Sequence, residues 1–183
     1  MALPGTPRAE RADAQRNRAR LLQVAREALA DDGAASLNSI AKTAGVGPGT
    51  LYRHFPSREA LVLAVYRAEI QRLVDEAEVL VGTVAPPVAL RTWFTDLAEL
   101  LRIKHGLGDA LTVADHTAMT AESRGPVLGA IGRILAAGEA DGSLRPGLDA
   151  DDVLILMSCV WRVPAGEQAE RLLDLVLDAA RPR

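Results

Sequence analysis

Residues 44–55, AGVGPGTLYRHF, set three glycines and a proline between two short segments of helical periodicity, and few folds accommodate that punctuation. Ahead of it, Leu37, Ile40, Ala41 and Ala44 fall at i, i+3, i+4 and i+7, one face of a helix opened by Ser36, a good N-cap. Gly45 follows the last apolar position, where a residue free to adopt positive φ stops a helix and turns the chain. Val46 then returns to the core and Gly47 serves as the next N-cap. Pro48 occupies a first helical position, where its missing N–H costs nothing. Leu51 and Phe55, four apart, face inward, which leaves Thr50, Arg53 and His54 pointing outward or sideways. Two short helices joined by a glycine turn, with a polar outer face on the second, predict a helix-turn-helix, the motif that places its second helix in the major groove of DNA. An ordinary helical hairpin would not need a small Ala41, a glycine at 45 and a buried Leu51 together with a basic flank.

The charge pattern agrees modestly with that reading. The chain of 183 residues has a net charge of −3, yet residues 1–60 hold nine Lys and Arg against six Asp and Glu, so the acidic surplus lies entirely in the remainder. With 49% hydrophobic and 25% charged residues, the composition is that of a soluble globular protein with a sizeable core. The apolar run Val153 to Met157 is too short to span a bilayer. The polar, basic N-terminus lacks the apolar stretch of a secretory signal, so a cytoplasmic location is expected. Cys159 is the only cysteine, which excludes an intrachain disulfide.

Helical periodicity continues to the end, with no sustained alternation of period two, so the chain is predicted to be all-α with about nine helices. The first is expected over Ala12–Asp31, with Leu21, Val24, Ala25, Ala28 and Leu29 on its apolar face, after a basic start (1–11) expected to be disordered. A long helix follows from Ser57 to about Val81. GTVAPP breaks it from a helix carrying Leu90, Trp93, Phe94, Leu97, Leu100 and Leu101 that ends near His105. A shorter helix over Asp109–Met119, one over Pro126–Ala140, one capped by Asp149 and one through Leu172, Leu173, Val176 and Ala180 complete the series. The expected division is a DNA-binding domain over 1–56 and a larger helical domain over 57–183.

The stretch LNSIAKTAGVGPGTLYRHFPSREALVLAVY, from Leu37 to Tyr66, resembles the DNA-binding region of the tetracycline-repressor (TetR) family of transcriptional regulators. That family's pattern runs I-A-x-x-A-G-V, then G-T-L-Y-x-H-F, then P-S-[KR]-E-A-L. The resemblance implies an N-terminal three-helix reading domain joined to a C-terminal ligand-binding and dimerisation domain. It also implies a tyrosine hydroxyl, here that of Tyr52, on phosphate. Thr50 offers a hydroxyl or methyl to DNA, and Arg53 and His54 reach phosphate or a guanine edge. Gly47, Pro48 and Gly49 leave the tip of the helix nearly bare, Lys42 and Arg58 read as clamps on the DNA backbone, and Ser36 and Ser57 read as helix caps that also reach phosphate. Many members carry Ser and Lys where this chain has Gly47 and Pro48, which shifts base discrimination toward Thr50, Arg53 and His54 and the basic N-terminal segment.

The segment ADDVLILMSCVWRV is apolar nearly all round, so one side is expected on the core and the other on a second subunit. A homodimer through the last two helices also suits a helix-turn-helix that reads two half-sites of a palindromic operator. The family resemblance implies a small-molecule effector in a mostly apolar pocket, for which Trp93, Phe94, Leu97, Leu101, His105, Leu111, His116, Met119, Met157 and Trp161 are the candidates. A modest hydrophobic or weakly polar effector is expected, since aromatics make up 3% of the chain and a cage for large cations is disfavoured. His54, His105 and His116 sit on separate helices without metal-ligand spacing, and no phosphate-cradling loop or nucleophile elbow occurs. No metal, cofactor or catalytic residue is therefore expected. The function that follows is a ligand-responsive repressor; the alternative is a helical ligand-binding or scaffolding dimer that does not read DNA.

Overall fold

The computed structural model describes residues 7–31, 35–106 and 112–182, with side chains at 17–29, 35–102, 112 and 114–182. Eight α-helices and no strand occur among these residues: α1 (Pro7–Asp31), α2 (Leu37–Thr43), α3 (Pro48–His54), α4 (Arg58–Thr83), α5 (Pro86–Gly106), α6 (Val113–Asp141), α7 (Ala150–Trp161) and α8 (Glu167–Ala179). Two compact units divide them, one up to Ala68 and one from Glu69 onward, so that α4 begins in the first and ends in the second. No described helix is long and apolar enough to cross a membrane.

Helix α1 starts at Pro7, ahead of the expected Ala12. Proline is pre-organised for a first helical turn, and the Ala, Glu and Arg that follow are strong helix formers. Residues 1–6 of the expected disordered start lie outside the described residues. In the first unit, Leu21 and Ala25 of α1 pack with Leu37, Ile40 and Ala41 of α2, Leu51 of α3, the Phe55 that ends it, and Leu61 of α4 in one buried cluster. The helices α2 and α3 have seven residues each, too short to persist alone, and this shared burial holds them.

In the second unit α5 is central. Its Leu90, Trp93, Phe94, Leu97 and Ala98 are at most 1% exposed, and it packs against α6, α7 and α8. The Trp93 indole N–H donates to the Leu73 carbonyl of α4 at 2.7 Å in a buried position, which satisfies the one polar atom of a large apolar side chain. Arg102 donates from Nη2 to the Val160 carbonyl at 3.0 Å and from Nε to the Val163 carbonyl at 3.3 Å, placing a cation at the negative end of α7.

Residues 109–111 lie outside the described residues; the rest of the helix expected over Asp109–Met119 and the one expected over Pro126–Ala140 form one, α6, which runs through Pro126 and leaves eight helices among the described residues. Its start is fixed by a capping box: Thr112 Oγ1 accepts from the Asp115 N–H at 3.1 Å and the Asp115 carboxylate accepts from the Thr112 N–H at 2.9 Å. An internal proline costs a helix about 3 kcal/mol. Past it, Val127, Ala130, Ile131, Ile134 and Leu135 are buried on one side, and each large aliphatic side chain so buried contributes about 1.5–3 kcal/mol. Continuing the apolar stripe therefore outweighs the proline. Ser123 Oγ, which donates to the Met119 carbonyl at 2.8 Å, supplies the back-bonding that lets a helix bend near such a site.

Candidate nucleic-acid interface

The turn between α2 and α3 is built by backbone bonds that the sequence makes possible. Gly45 has φ +68°, its N–H donates to the Lys42 carbonyl at 3.1 Å, and the Val46 N–H donates to the Ala41 carbonyl at 3.0 Å. This pair of bonds is a Schellman motif, and the half-buried Val46 closes it against the core. Helix α3 then opens at Gly47, whose carbonyl accepts from the Thr50 N–H at 2.9 Å, with Pro48 in the first turn. It ends at Phe55, whose N–H donates to the Leu51 carbonyl at 2.8 Å. Leu51 and Phe55 are 0% and 2% exposed, which fixes the rotation of α3 about its axis.

With that rotation set, Gly47, Pro48, Gly49, Thr50, Tyr52, Arg53 and His54 are all exposed, and Lys42 is exposed on α2. Gly47 and Gly49 differ from Gly45. Their φ is not positive, and a side chain begun on either would meet nothing within 4 Å. Gly47 suits its place as the N-cap of α3, but folding gives no reason for glycine at 49, where a glycine inside a helix costs up to about 1 kcal/mol against alanine. The side chains of Lys42, Thr50, Tyr52 and Arg53 make no hydrogen bond or ion pair with the described residues. A surface of donors, two cations and a bare helix tip, left unused by the described residues, is equipped to engage phosphates and base edges.

Three of the expected interface residues do visible work inside the fold. Ser36 caps α2, its Oγ accepting from the Ser39 N–H at 3.1 Å, and the Ser57 Oγ accepts from the Ala60 N–H at 3.2 Å at the start of α4. Arg58 is half-buried and its Nε donates to the Ala35 carbonyl at 3.3 Å, which ties the start of α4 to the residue preceding the Ser36 cap. Two arginines that sequence reasoning did not single out also reach the motif. The Arg18 guanidinium lies over the Phe55 ring, 5.4 Å from its centroid, and Arg20 Nη2 comes within 4.0 Å of the point where a side chain on Gly45 would begin. The Arg-rich run on α1 was the available signal.

The candidate pocket residues are less uniform. Trp93, Phe94, Leu97, Met119 and Met157 are buried, with 3% exposure or less, whereas Leu101, His116 and Trp161 are half-buried. The side chain of His105 and the whole of Leu111 lie outside the described residues. A separate open groove of about 460 Å³ runs between the start of α5 and the end of α8, lined by Val88, Arg91, Leu144 and Leu177 among others and by none of the ten candidates. On the last two helices, Val153, Met157 and Val160 of α7 face the core, while Ile155, Leu156 and Leu175 are 58%, 54% and 65% exposed. No cluster of three or more metal-ligating side chains occurs among the described residues.

Comparison with known proteins matches residues 21–65 to a family described as bacterial regulatory proteins, tetR family. Residues 85–182 match one described as transcriptional regulator SbtR-like, C-terminal domain. The transcriptional repressor KstR2 of Mycolicibacterium smegmatis is 30% identical over 163 residues, covering 80% of this chain and 79% of that protein. The regulator UidR of Escherichia coli is 42% identical over 62 residues, covering 33% of this chain; the match spans about a third of UidR itself, 32%. Among solved structures, the TetR regulator SCO0520 of Streptomyces coelicolor superposes with a TM-score of 0.78 at 36% identity, covering 90% of this chain and 98% of that one. A TetR regulatory protein of Mycobacterium vanbaalenii gives 0.76 at 34%, covering 94% and 99%.

Proposed function

The chain belongs to the TetR family of transcriptional regulators, a family of regulators rather than enzymes, and on that footing we propose that it is a homodimeric repressor released from a palindromic operator by a small-molecule effector. The observation that carries the DNA-binding part is the outer face of α2 and α3, where Lys42, Gly47, Pro48, Gly49, Thr50, Tyr52, Arg53 and His54 are exposed. In this reading Arg53 and His54 contact phosphate or guanine, Thr50 and Tyr52 contact the DNA backbone or a base, and Ser36 and Arg58 combine their internal bonds with backbone contacts. A DNA partner places the protein in the cytoplasm.

Dimerisation is supported by the uncovered aliphatic side chains of α7 and α8. Ile155, Leu156 and Leu175 are more than half exposed on helices whose other faces are already buried, and large aliphatic side chains left uncovered on neighbouring helices suit an interaction surface. The relative named a repressor supports the sign of regulation. The domain over 57–183 holds the effector, a modest hydrophobic or weakly polar molecule, among the ten candidate residues, of which Leu101, His116 and Trp161 are half-buried. Helix α4 carries the response to the reading domain over 1–56. A coupling of about 1–3 kcal/mol changes operator affinity about 5- to 150-fold, enough for a switch.

Selection from random-sequence duplexes tests the reading. The protein should enrich an inverted repeat with half-sites about one helical turn apart, bound with a steep loss of affinity as salt rises. Recovery of no palindrome would leave a helical dimer that does not read DNA. A thermal-shift screen of metabolites then identifies the effector, since a ligand that binds only the folded state raises its stability.

A further inference from the structure

Phe55 ends the recognition helix, and its ring, with Leu51 one turn earlier, anchors α3 in the core. The backbone there leaves helical geometry, with φ −137° and ψ 97°, and the side chain is 2% exposed. The imidazole of His54 lies beside the ring, 6.2 Å between centroids and tilted by 46°. Any shift of the ring is therefore passed directly to the two residues before it, His54 and Arg53. A helix of seven residues has little stiffness of its own, so its orientation is set by what grips its ends.

That grip comes partly from α1. The Arg18 guanidinium stands over the Phe55 ring at 5.4 Å from the centroid, within the range at which a cation is attracted to an aromatic face. At the opposite end of α3, Arg20 Nη2 approaches the Gly45 turn, within 4.0 Å of where a side chain would begin. Two cations of one helix thus flank the motif, one at the turn before the recognition helix and one at its close.

We propose that Arg18 is a positioning residue for the recognition helix, acting through the Phe55 ring to fix the angle at which Arg53 and His54 are presented, and not by touching DNA. The proposal rests on the DNA-binding reading above. It also divides the basic surplus of the N-terminal third, since part of that charge braces the motif while Lys42 and Arg53 face outward. A planar guanidinium suits this role better than an ammonium, because it stacks on the ring as well as attracting it.

The test uses the full chain and a palindromic duplex selected with it from random-sequence DNA, comparing R18Q, R18K, F55L and the R18Q/F55L pair. R18Q should weaken binding about two- to fivefold, the equivalent of an exposed cation–π contact. The slope of log affinity against log salt should stay at its unsubstituted value. R18K should recover part of the loss, and R18Q should add nothing in the F55L background. Without DNA, amide hydrogen exchange over residues 50–55 should quicken in R18Q while the unit from Glu69 is unchanged. A slope smaller by about 0.9 would make Arg18 a phosphate contact and overturn the proposal. An equal loss in the F55L background, unchanged affinity, or unchanged exchange at α3 would overturn it too. If the unsubstituted protein selects no duplex, the DNA reading fails, and the exchange measurement alone still decides whether Arg18 braces α3.

Discussion

In the unit that ends at Ala68, a small apolar cluster satisfies the fold, and the outward side chains of Lys42, Thr50, Tyr52 and Arg53 on α2 and α3 make no hydrogen bond or ion pair with the described residues. In the unit that begins at Glu69 the reverse holds along α5, where Trp93, Phe94 and Leu97 are consumed by packing and even the indole N–H is bonded. The first unit therefore separates what folds it from what it shows to the outside, residue by residue. The second shows aliphatic side chains to the outside, with Ile155, Leu156 and Leu175 of α7 and α8 uncovered alongside Val79 of α4 and Val88 of α5. A substitution on the outer face of the first unit should change binding and spare stability. One inside the second should do the opposite.

The largest expected effect is at Trp93. W93A should cost the second unit about 3–5 kcal/mol in denaturant unfolding, as truncation of a buried aromatic does. A cost well under 1 kcal/mol would mean that the ring borders an open cavity, and Trp93 would then return to the effector site. Next is R53A, expected to weaken operator binding by about 1–3 kcal/mol with an unchanged melting temperature. Lost stability with retained affinity would show that the outward face belongs to the fold after all. The smallest effect is at the two ends of α6. Asp115 is held below the usual carboxylate range, first by the hydrogen bond from the Thr112 hydroxyl and then by that from its N–H. Asp141 is held low by the neighbouring Ser143, whose N–H donates to its carboxylate at 2.9 Å. Because both folded values are depressed, the stabilisation is complete above about pH 4 and is lost as pH falls through the lower folded values. Circular dichroism of the intact protein should show a slight acid loss of helicity, reduced in D115N. An equal loss in D115N would remove Asp115 from that account.

The helix-turn-helix was legible in the sequence because its signals are local: a glycine at positive φ, a proline in a first turn, and inward apolar residues four apart. The fusion of α6 was not, because Pro126 reads locally as a break while the burial that overrides it comes from other helices. The pocket was hard to read for a related reason, since apolar spacing places Trp93 and Met157 on an inward face without telling a packed core from a cavity wall. The bracing roles of Arg18 and Arg58 depend on contacts with residues distant in the chain, Phe55 and Ala35, which periodicity does not encode.

Gly49 tests most directly whether the outer face is shaped by DNA rather than by folding, because the protein itself leaves open space around it. The decisive measurement pairs the melting temperature of G49A with its affinity for the selected palindrome. Stability should equal or exceed that of the unsubstituted chain, by up to about 1 kcal/mol, together with a several-fold loss of affinity as the added methyl keeps the helix tip from the duplex. Unchanged affinity, or a fall in stability, would contradict a face shaped by DNA.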